Sequence, residues 1–302
     1  MNLYDLIIIG GGASGILCAL QGKKQGINNI LIIEKDPMLG GMLSSGNYNI
    51  SESGFITGKQ YKEKLINELN MFDVKVKLNT MVLKIDDDNG VVCTSPENGI
   101  EKIYAKNIII CNGAKETSRK VVNMVGDRSS GILTVGMAKK IFNMGNIIPG
   151  KNILICGDST IYMIEEELKN SNINIVGIIC SSKNIDKVKN YNLTSNIYED
   201  YDISSITGEG RISNVIISKD GNNLELECDT LIFAQPMLSD GVVAMRSNIT
   251  LNPETTGPKV DKDYMTSRKN IYACGNGIFI HNSIEEIEKE CTLLIKNLKQ
   301  NI

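Results

Sequence analysis

The chain has 302 residues, 42% of them hydrophobic and 22% charged, so it is neither disordered nor a coiled coil, and its length predicts two domains. Lys and Arg number 32 against 35 Asp and Glu; the net charge of −3 gives no electrostatic basis for a nucleic-acid or acidic-lipid partner. The lack of Trp argues against an aromatic stacking platform, and a single His excludes a multi-histidine metal site.

Leu6 to Ile9 is a continuous apolar run, as in a parallel strand covered on both faces. Gly10-Gly11-Gly12-Ala13-Ser14-Gly15 follows, then a helix to about Gln25 and a second apolar strand, Asn29 to Ile33, ending at Glu34. This start imitates a signal peptide, but it lacks a basic n-region and is broken by three glycines. No stretch reaches the ~18 to 20 apolar residues of a membrane span. From Val74 to Ile110, short alternating runs with turns at Asp88-Asn89-Gly90 and Glu97-Asn98-Gly99 predict an antiparallel meander that returns through the strand Asn107 to Cys111.

The plan then repeats. Asn152 to Cys156 is an apolar strand ending at Gly157; a helix to about Lys169 and a strand from Ile173 to Cys180 follow. A second meander, about Ile206 to Leu226, returns through Thr230 to Phe233. Asn270 to Cys274 and the helix Ser283 to Leu298 have no meander left to join, so they are expected to return to the first copy. The fold class expected is α/β, with two Rossmann-like dinucleotide-binding domains of three-layer ββα form. The first is discontinuous, formed by 1–116 and 238–302, and the second spans 117–237.

Gly10-x-Gly12-x-x-Gly15 follows a strand and opens a helix, which suits it to a diphosphate: Gly10 turns, Gly12 lets the backbone approach the ligand, and Gly15 allows close helix–strand packing. Glu34 is placed to accept from ribose hydroxyls, and Gly40-Gly41 adds a second loop of close approach. Cys111-Asn112-Gly113-Ala114 and Cys274-Gly275-Asn276 each end a strand where a cofactor would be met, with Asn276 able to bond a polyol chain.

The eight cysteines are scattered with no C-x-x-C, so neither a metal site nor a vicinal redox disulfide is expected. Reduced, buried thiols point to a cytoplasmic protein. His281, in GNGIFIHNS, stands just before the last helix; it reads either as a neighbour of a bound cofactor or as a capping or surface histidine.

The order DLIIIGGGASG, Glu34, Gly-Gly, meander, CNGA and IYACGN resembles the FAD-dependent pyridine-nucleotide oxidoreductase superfamily, at a length similar to thioredoxin reductase. A narrower resemblance lies in GFITGKQYKEKL, NTMVLKI, GDRSSGILTVGMAKKIFN, IIPGKNILICGDS and CDTLIFAQP. These look like the FAD/NAD(P)-binding subunits of heteromeric amine, opine and proline dehydrogenases, and like partners of anaerobic glycerol-3-phosphate dehydrogenase. The resemblance implies FAD held by Gly10, Gly12, Ala13, Ser14, Gly15, Glu34, Lys35, Gly41, Met42, Val82, Asn112, Gly113, Gly275 and Asn276. Val82 would meet the adenine through its backbone, and Asn276 replaces the family's Asp while keeping the acceptor. Arg128 matches an arginine of the narrower family.

The same resemblance places NAD(P)H in the second copy, where the residues depart from the pattern. Ser159 stands for Gly12 and Tyr162 for Gly15; Asp158 puts a carboxylate in the loop, and Cys180 or Ser181 replaces Glu34. Gln235-Pro236 replaces a glycine-containing turn, and the disulfide reductases' cysteine pair is missing. These departures predict an FAD oxidoreductase without a redox-active disulfide and with a degenerate, doubtful NAD(P)H site. It would act as the flavin subunit of a dehydrogenase or electron-transfer complex, partnered by other subunits or by self-association. A stand-alone NAD(P)H-dependent flavin reductase and a non-catalytic structural subunit are the alternatives. No catalytic acid or base is identified.

Overall fold

The computed structural model describes residues 3–117, 126–127, 129–145 and 147–300. Arg128 lies outside them. The chain divides into two compact units, Met1–Lys115 with Leu238–Ile302, and Glu116–Met237.

In the first unit, β1 (Leu3–Ile9), α1 (Ala13–Lys24) and β2 (Ile30–Ile33) form the opening crossover, and β1 and β2 pair in parallel. Helix α2 (Gly58–Leu69) follows, then β3 (Lys75–Lys77), β4 (Met81–Ile85), β5 (Gly90–Ser95) and β6 (Gly99–Ile110). The C-terminal segment adds α3 (Val242–Arg246), β7 (Ile271–Ala273) and α4 (Ile284–Gln300). The sheet runs β3-β2-β1-β6-β5-β4, with β7 also paired to β6.

The length of β6 organises the layers. Its first half pairs antiparallel with β5, and its second half lies parallel to β1 on one edge and to β7 on the other. The meander therefore peels away while β7 fills its place. Alternate strand residues feed two cores: Leu6, Ile8, Ile32 and Ile109 face α1, α2 and α4, whereas Ile7, Ile9, Ile33 and Ile110 face the meander and α3. Burying each isoleucine contributes roughly 1.5–3 kcal/mol, and a strand apolar on both faces is the consequence. Lys75–Lys77 lies parallel beside β2 rather than opening the meander, because Leu31–Ile33 offers it a free edge.

The second unit repeats the plan. Five parallel strands stand in the order Ile197–Glu199, Asn174–Cys180, Asn152–Cys156, Thr230–Phe233, Ile132–Thr134. A three-stranded meander, Asp202–Thr207, Asn214–Lys219 and Asn222–Glu227, covers one face over a core that includes Leu154, Val215, Leu231 and Phe233. The helix expected after Gly157 is broken into a 3-10 turn, Ile161–Met163, and a short helix, Glu165–Asn170. The amides of Ser159 and Thr160 donate to the Ala234 carbonyl, so the chain leaves the loop in the wrong direction to start an α-helix there. Tyr162, which stands in the place of Gly15, is 41% exposed on that turn.

The architecture is α/β, two Rossmann-like units.

Candidate functional site

The site forms where β1, β2, β6 and β7 end. Gly10 turns at φ +104°, and a Cβ on it would lie 2.4 Å from the Cys111 carbonyl oxygen. A Cβ on Gly15 would lie 1.9 Å from the Gly10 carbonyl oxygen, so glycine is required at both positions. Gly12 differs: a Cβ there meets nothing within 4 Å. Gly12 caps α1 without a side-chain hydrogen bond, and no acid sits in the first turn. The positive end of α1 is thus left for an external anion. Ala13 and the buried Ser14 form that first turn.

Two further loops close on this turn. The Gly40 amide donates to the Gly11 carbonyl at 2.8 Å, and a Cβ on Gly41 would come within 3.2 Å of the Gly12 Cα. Met42, in the following 3-10 turn, is exposed, as is Lys35. Glu34 is 5% exposed; its carboxylate accepts from the amides of Gly11 at 2.6 Å and Asp36 at 2.8 Å. The Thr80 amide donates to the Glu34 carbonyl at 2.9 Å, which brings the buried Val82, two residues further on, to the same edge.

At the ends of β6 and β7, Asn112 donates through Nδ2 to the Asp240 carbonyl at 2.6 Å. Its Oδ1 is buried with no partner, 3.1 Å from where a Cβ on Gly277 would stand. Gly113 is open, with nothing within 4 Å of a Cβ. Gly275, at φ +70°, would drive a Cβ to 2.5 Å from Ser14 Oγ.

The structure also joins residues that the sequence left apart. The His281 side chain is buried: its Nδ1 lies 3.0 Å from Asn276 Oδ1 and its Nε2 3.1 Å from Glu290 Oε2. Asn276 Oδ1 also accepts from the His281 amide at 3.0 Å, so the acceptor expected to face a polyol is used within the loop. Glu290 Oε1 accepts from the Gly275 amide. Sequence reasoning missed Glu290. Its signal was a carboxylate on the apolar stripe of α4, between Ile287 and Cys291 and one turn from Leu294. Helix α2 was missed as well, although Thr57 and Gln60 form a reciprocal capping box ahead of Tyr61, Leu65 and Leu69. Tyr61 donates to Glu288 on α4, and burial followed by that bond pushes its hydroxyl pKa up.

All eight cysteines are free and buried, but they are not all scattered. Cys18, Cys111, Cys274 and Cys291 come together behind the site, because residues distant in sequence end on one side of one sheet.

In the second unit, Gly157 turns at φ +106° as Gly10 does. Asp158 is buried and accepts from the Ser181 amide and Asn184 Nδ2, each at 3.1 Å. Gln235 Nε2 donates to the Cys156 carbonyl at 3.4 Å, and burial pushes the Cys156 thiol up to about 12. Glu167 in the short helix pairs with the buried Lys139.

Residues 5–97 match the family described as FAD dependent oxidoreductase. A ferredoxin–NADP reductase of Pelagibacter ubique is 26% identical over 292 residues, 90% of this chain and 83% of that protein. The fold superposes on the thioredoxin reductase of T. acidophilum with a TM-score of 0.80 at 18% identity, covering 100% of this chain and 99% of that one. It also superposes on L-proline dehydrogenase from P. horikoshii, with a TM-score of 0.75 at 20% identity, covering 99% of this chain and 56% of that one. The uncapped α1, the open Gly12 and Gly113 and the unpartnered Asn112 Oδ1 fit a dinucleotide with a hydrogen-bonding ring system. The chain is an FAD-dependent oxidoreductase on a thioredoxin-reductase-like fold. Among its described residues, no helix is long and apolar enough to cross a membrane.

Proposed function

We propose that this chain is the flavin-carrying subunit of a dehydrogenase or electron-transfer complex. Electrons would reach it from a small substrate or a partner chain rather than from NAD(P)H bound to its second unit. The observation that carries this reading is the bond from the Ser181 amide to Asp158: a carboxylate occupies the loop where a diphosphate would need amides. The Ser159 and Thr160 amides, which would serve that diphosphate, are already bonded to Ala234.

Bound FAD supplies two-electron and one-electron transfer. In this reading Gly10, Gly12 and the first turn of α1 (Ala13, Ser14, Gly15) hold the diphosphate, with Gly41 closing over it. Glu34 orients the ribose with a free lone pair on each oxygen, Val82 lines the adenine edge, and Lys35 and Met42 flank the entrance. Asn112, Gly113 and Gly275 border the ring system. Asn276, its oxygen held by His281, offers its amide NH2 to the ribityl chain. The fold is shared with L-proline dehydrogenase, a chain nearly twice as long. The similarity to a ferredoxin–NADP reductase supports the rival, a stand-alone reductase.

Anaerobic mixing of the FAD-loaded protein with NADH or NADPH separates the two. We expect the flavin absorbance to persist with either nucleotide and to bleach with dithionite. Bleaching by a nucleotide within one second overturns the proposal. Isolation under native conditions from the source cells is expected to bring a second subunit at constant stoichiometry.

A further inference from the structure

We propose that Cys18, Cys111 and Cys274 form a buried thiolate site for a thiophilic divalent cation of the Zn²⁺ type, with Cys291 as an adjoining fourth sulfur. The inference does not depend on the source of electrons.

Four elements bring the sulfurs together. Ala273 stands opposite Ile110 in the parallel β6–β7 ladder, and the Cys274 amide donates to the Ile110 carbonyl at 3.2 Å, so Cys111 and Cys274 leave adjacent strands at the same level. Both belong to the core on the α1 and α4 side, with Ile109 and Tyr272. From above, α1 contributes Cys18 and α4 contributes Cys291. Cys274 Sγ lies 3.5 Å from Cys18 Sγ, 3.6 Å from Cys111 Sγ and 3.9 Å from Cys291 Sγ. The Cys18, Cys111 and Cys274 sulfurs all lie within 4.8 Å of one another.

Magnitudes select the ligand. With metal–sulfur bonds of about 2.3 Å, sulfurs stand about 3.8 Å apart around a tetrahedral ion and about 4.0 Å apart around a trigonal one. The Cys274 separations of 3.5 and 3.6 Å lie just under these values, and Cys18 and Cys111, within 4.8 Å of each other, close the triangle. Sulfurs this close leave no room between them for a multi-iron cluster. A divalent ion with three thiolates leaves one net negative charge, whereas a monovalent ion leaves two, and an apolar core penalises the excess. On binding, three thiols lose their protons to solvent and three sulfur–metal bonds form; no redox change is involved. Cys291 keeps its proton, its Sγ donating to the Ser14 carbonyl at 3.6 Å. The ion ties α1 to the strand ends directly behind Asn112 and Gly275. Cys93 is also buried but lies in the other core, away from this group.

The test uses the full chain with FAD, refolded with Zn²⁺ or Cd²⁺ and freed of excess metal. One equivalent of zinc per chain is expected by elemental analysis. The Cd²⁺ form should show thiolate-to-metal charge transfer in the near ultraviolet, read as a difference against the metal-free flavoprotein. Cys18→Ala is expected to lower affinity at least tenfold and remove the band, whereas Cys93→Ala keeps both. Metal release from wild type gives a readout that no unstable variant can obscure: unfolding in denaturant should free the zinc to a chromogenic chelator that finds none accessible in the folded protein. Less than about a tenth of an equivalent bound, zinc equally accessible to the chelator in the folded and unfolded chain, or equal binding in Cys18→Ala and wild type overturns the proposal and leaves the four cysteines as core packing.

Discussion

Asp158 accepts from the Ser181 amide at 3.1 Å, the inverse of the bond that Glu34 accepts from the Gly11 amide at 2.6 Å. Counted from Gly10 and Gly157, Gly11 corresponds to Asp158 and Glu34 to Ser181. Each unit therefore ties its glycine loop to the end of its second strand, but the carboxylate has changed sides. In the first unit the loop presents amides and the strand end presents the acid, which suits a diphosphate and a ribose. In the second unit the loop carries the negative charge. A carboxylate about 4 Å from a phosphate charge costs about 4 kcal/mol at an effective dielectric of about 20. That is close to a thousandfold in affinity.

This asymmetry predicts opposite outcomes for one substitution made in the two units. Gly12→Asp has room for its side chain, since nothing lies within 4 Å of a Cβ, and an acid at a helix N-terminus is locally favourable. The fold should therefore survive while the carboxylate excludes the diphosphate. FAD content per chain, read from absorbance after gel filtration, should fall below a tenth of wild type. Ser159→Asp should leave it unchanged. Equal loss in both would contradict the assignment of FAD to the first unit.

Glu34→Gln tests the strand-end acid. The carboxylate accepts two backbone amides while buried, and hydrogen bonds to a charged acceptor are worth about 1.5–3 kcal/mol each. The amide retains one acceptor oxygen and turns an NH2 toward an N–H donor. We expect FAD affinity to weaken at least tenfold, measured by fluorescence recovery on dilution, with a loss of stability of about 2 kcal/mol in urea unfolding. A variant that binds FAD as wild type does would remove Glu34 from the site.

Much of this was legible because local physics dictated it. Leu6–Ile9, Ile30–Ile33 and Thr230–Phe233 can only be strands buried on both faces, and Gly10 and Gly15 are required by contacts with backbone oxygens. Asp158 was recognisable as a misplaced charge from its position alone. Its bond to Ser181 was not, because nothing in the sequence pairs residues 23 apart across two strands. Glu290 and the four converging cysteines share that difficulty. Spacing rules detect ligands on one element, whereas Cys18, Cys111, Cys274 and Cys291 meet only through the parallel register of β6 and β7 and the packing of α1 on α4.

Glu290 connects the last helix to the Gly275 loop directly and through His281. Glu290→Leu leaves the His281 ring and the Gly275 amide without their acceptor in a closed interior, the kind of change that costs about 3–5 kcal/mol. His281→Gln keeps a donor toward Glu290 and is expected to cost about 1 kcal/mol. Chemical unfolding of both variants should rank them in this order. FAD loss should track Glu290→Leu, since Gly275 borders the ring-binding edge. Wild-type stability and FAD content in Glu290→Leu would show that the network does not position the loop.

The first turn of α4 holds a neighbouring loop through charge. Glu285 accepts from the hydroxyls of Ser51 and Ser53, and these bonds hold its carboxyl below the ordinary glutamate range. A depressed native pKa means that the unfolded or detached state binds the proton more readily. The clamp on residues 51–53 is therefore fully present above the ordinary glutamate pKa and weakens as the pH falls from there toward the native value. Limited proteolysis with an acid-stable protease should cut near Ser51–Ser53 progressively faster below about pH 4. Glu285→Gln should be cut at one rate across that range, slower than wild type at its most acidic point only if the amide keeps a serine bond. A wild-type cleavage rate flat from pH 6 to pH 3 would show that the loop is held by something other than this carboxylate.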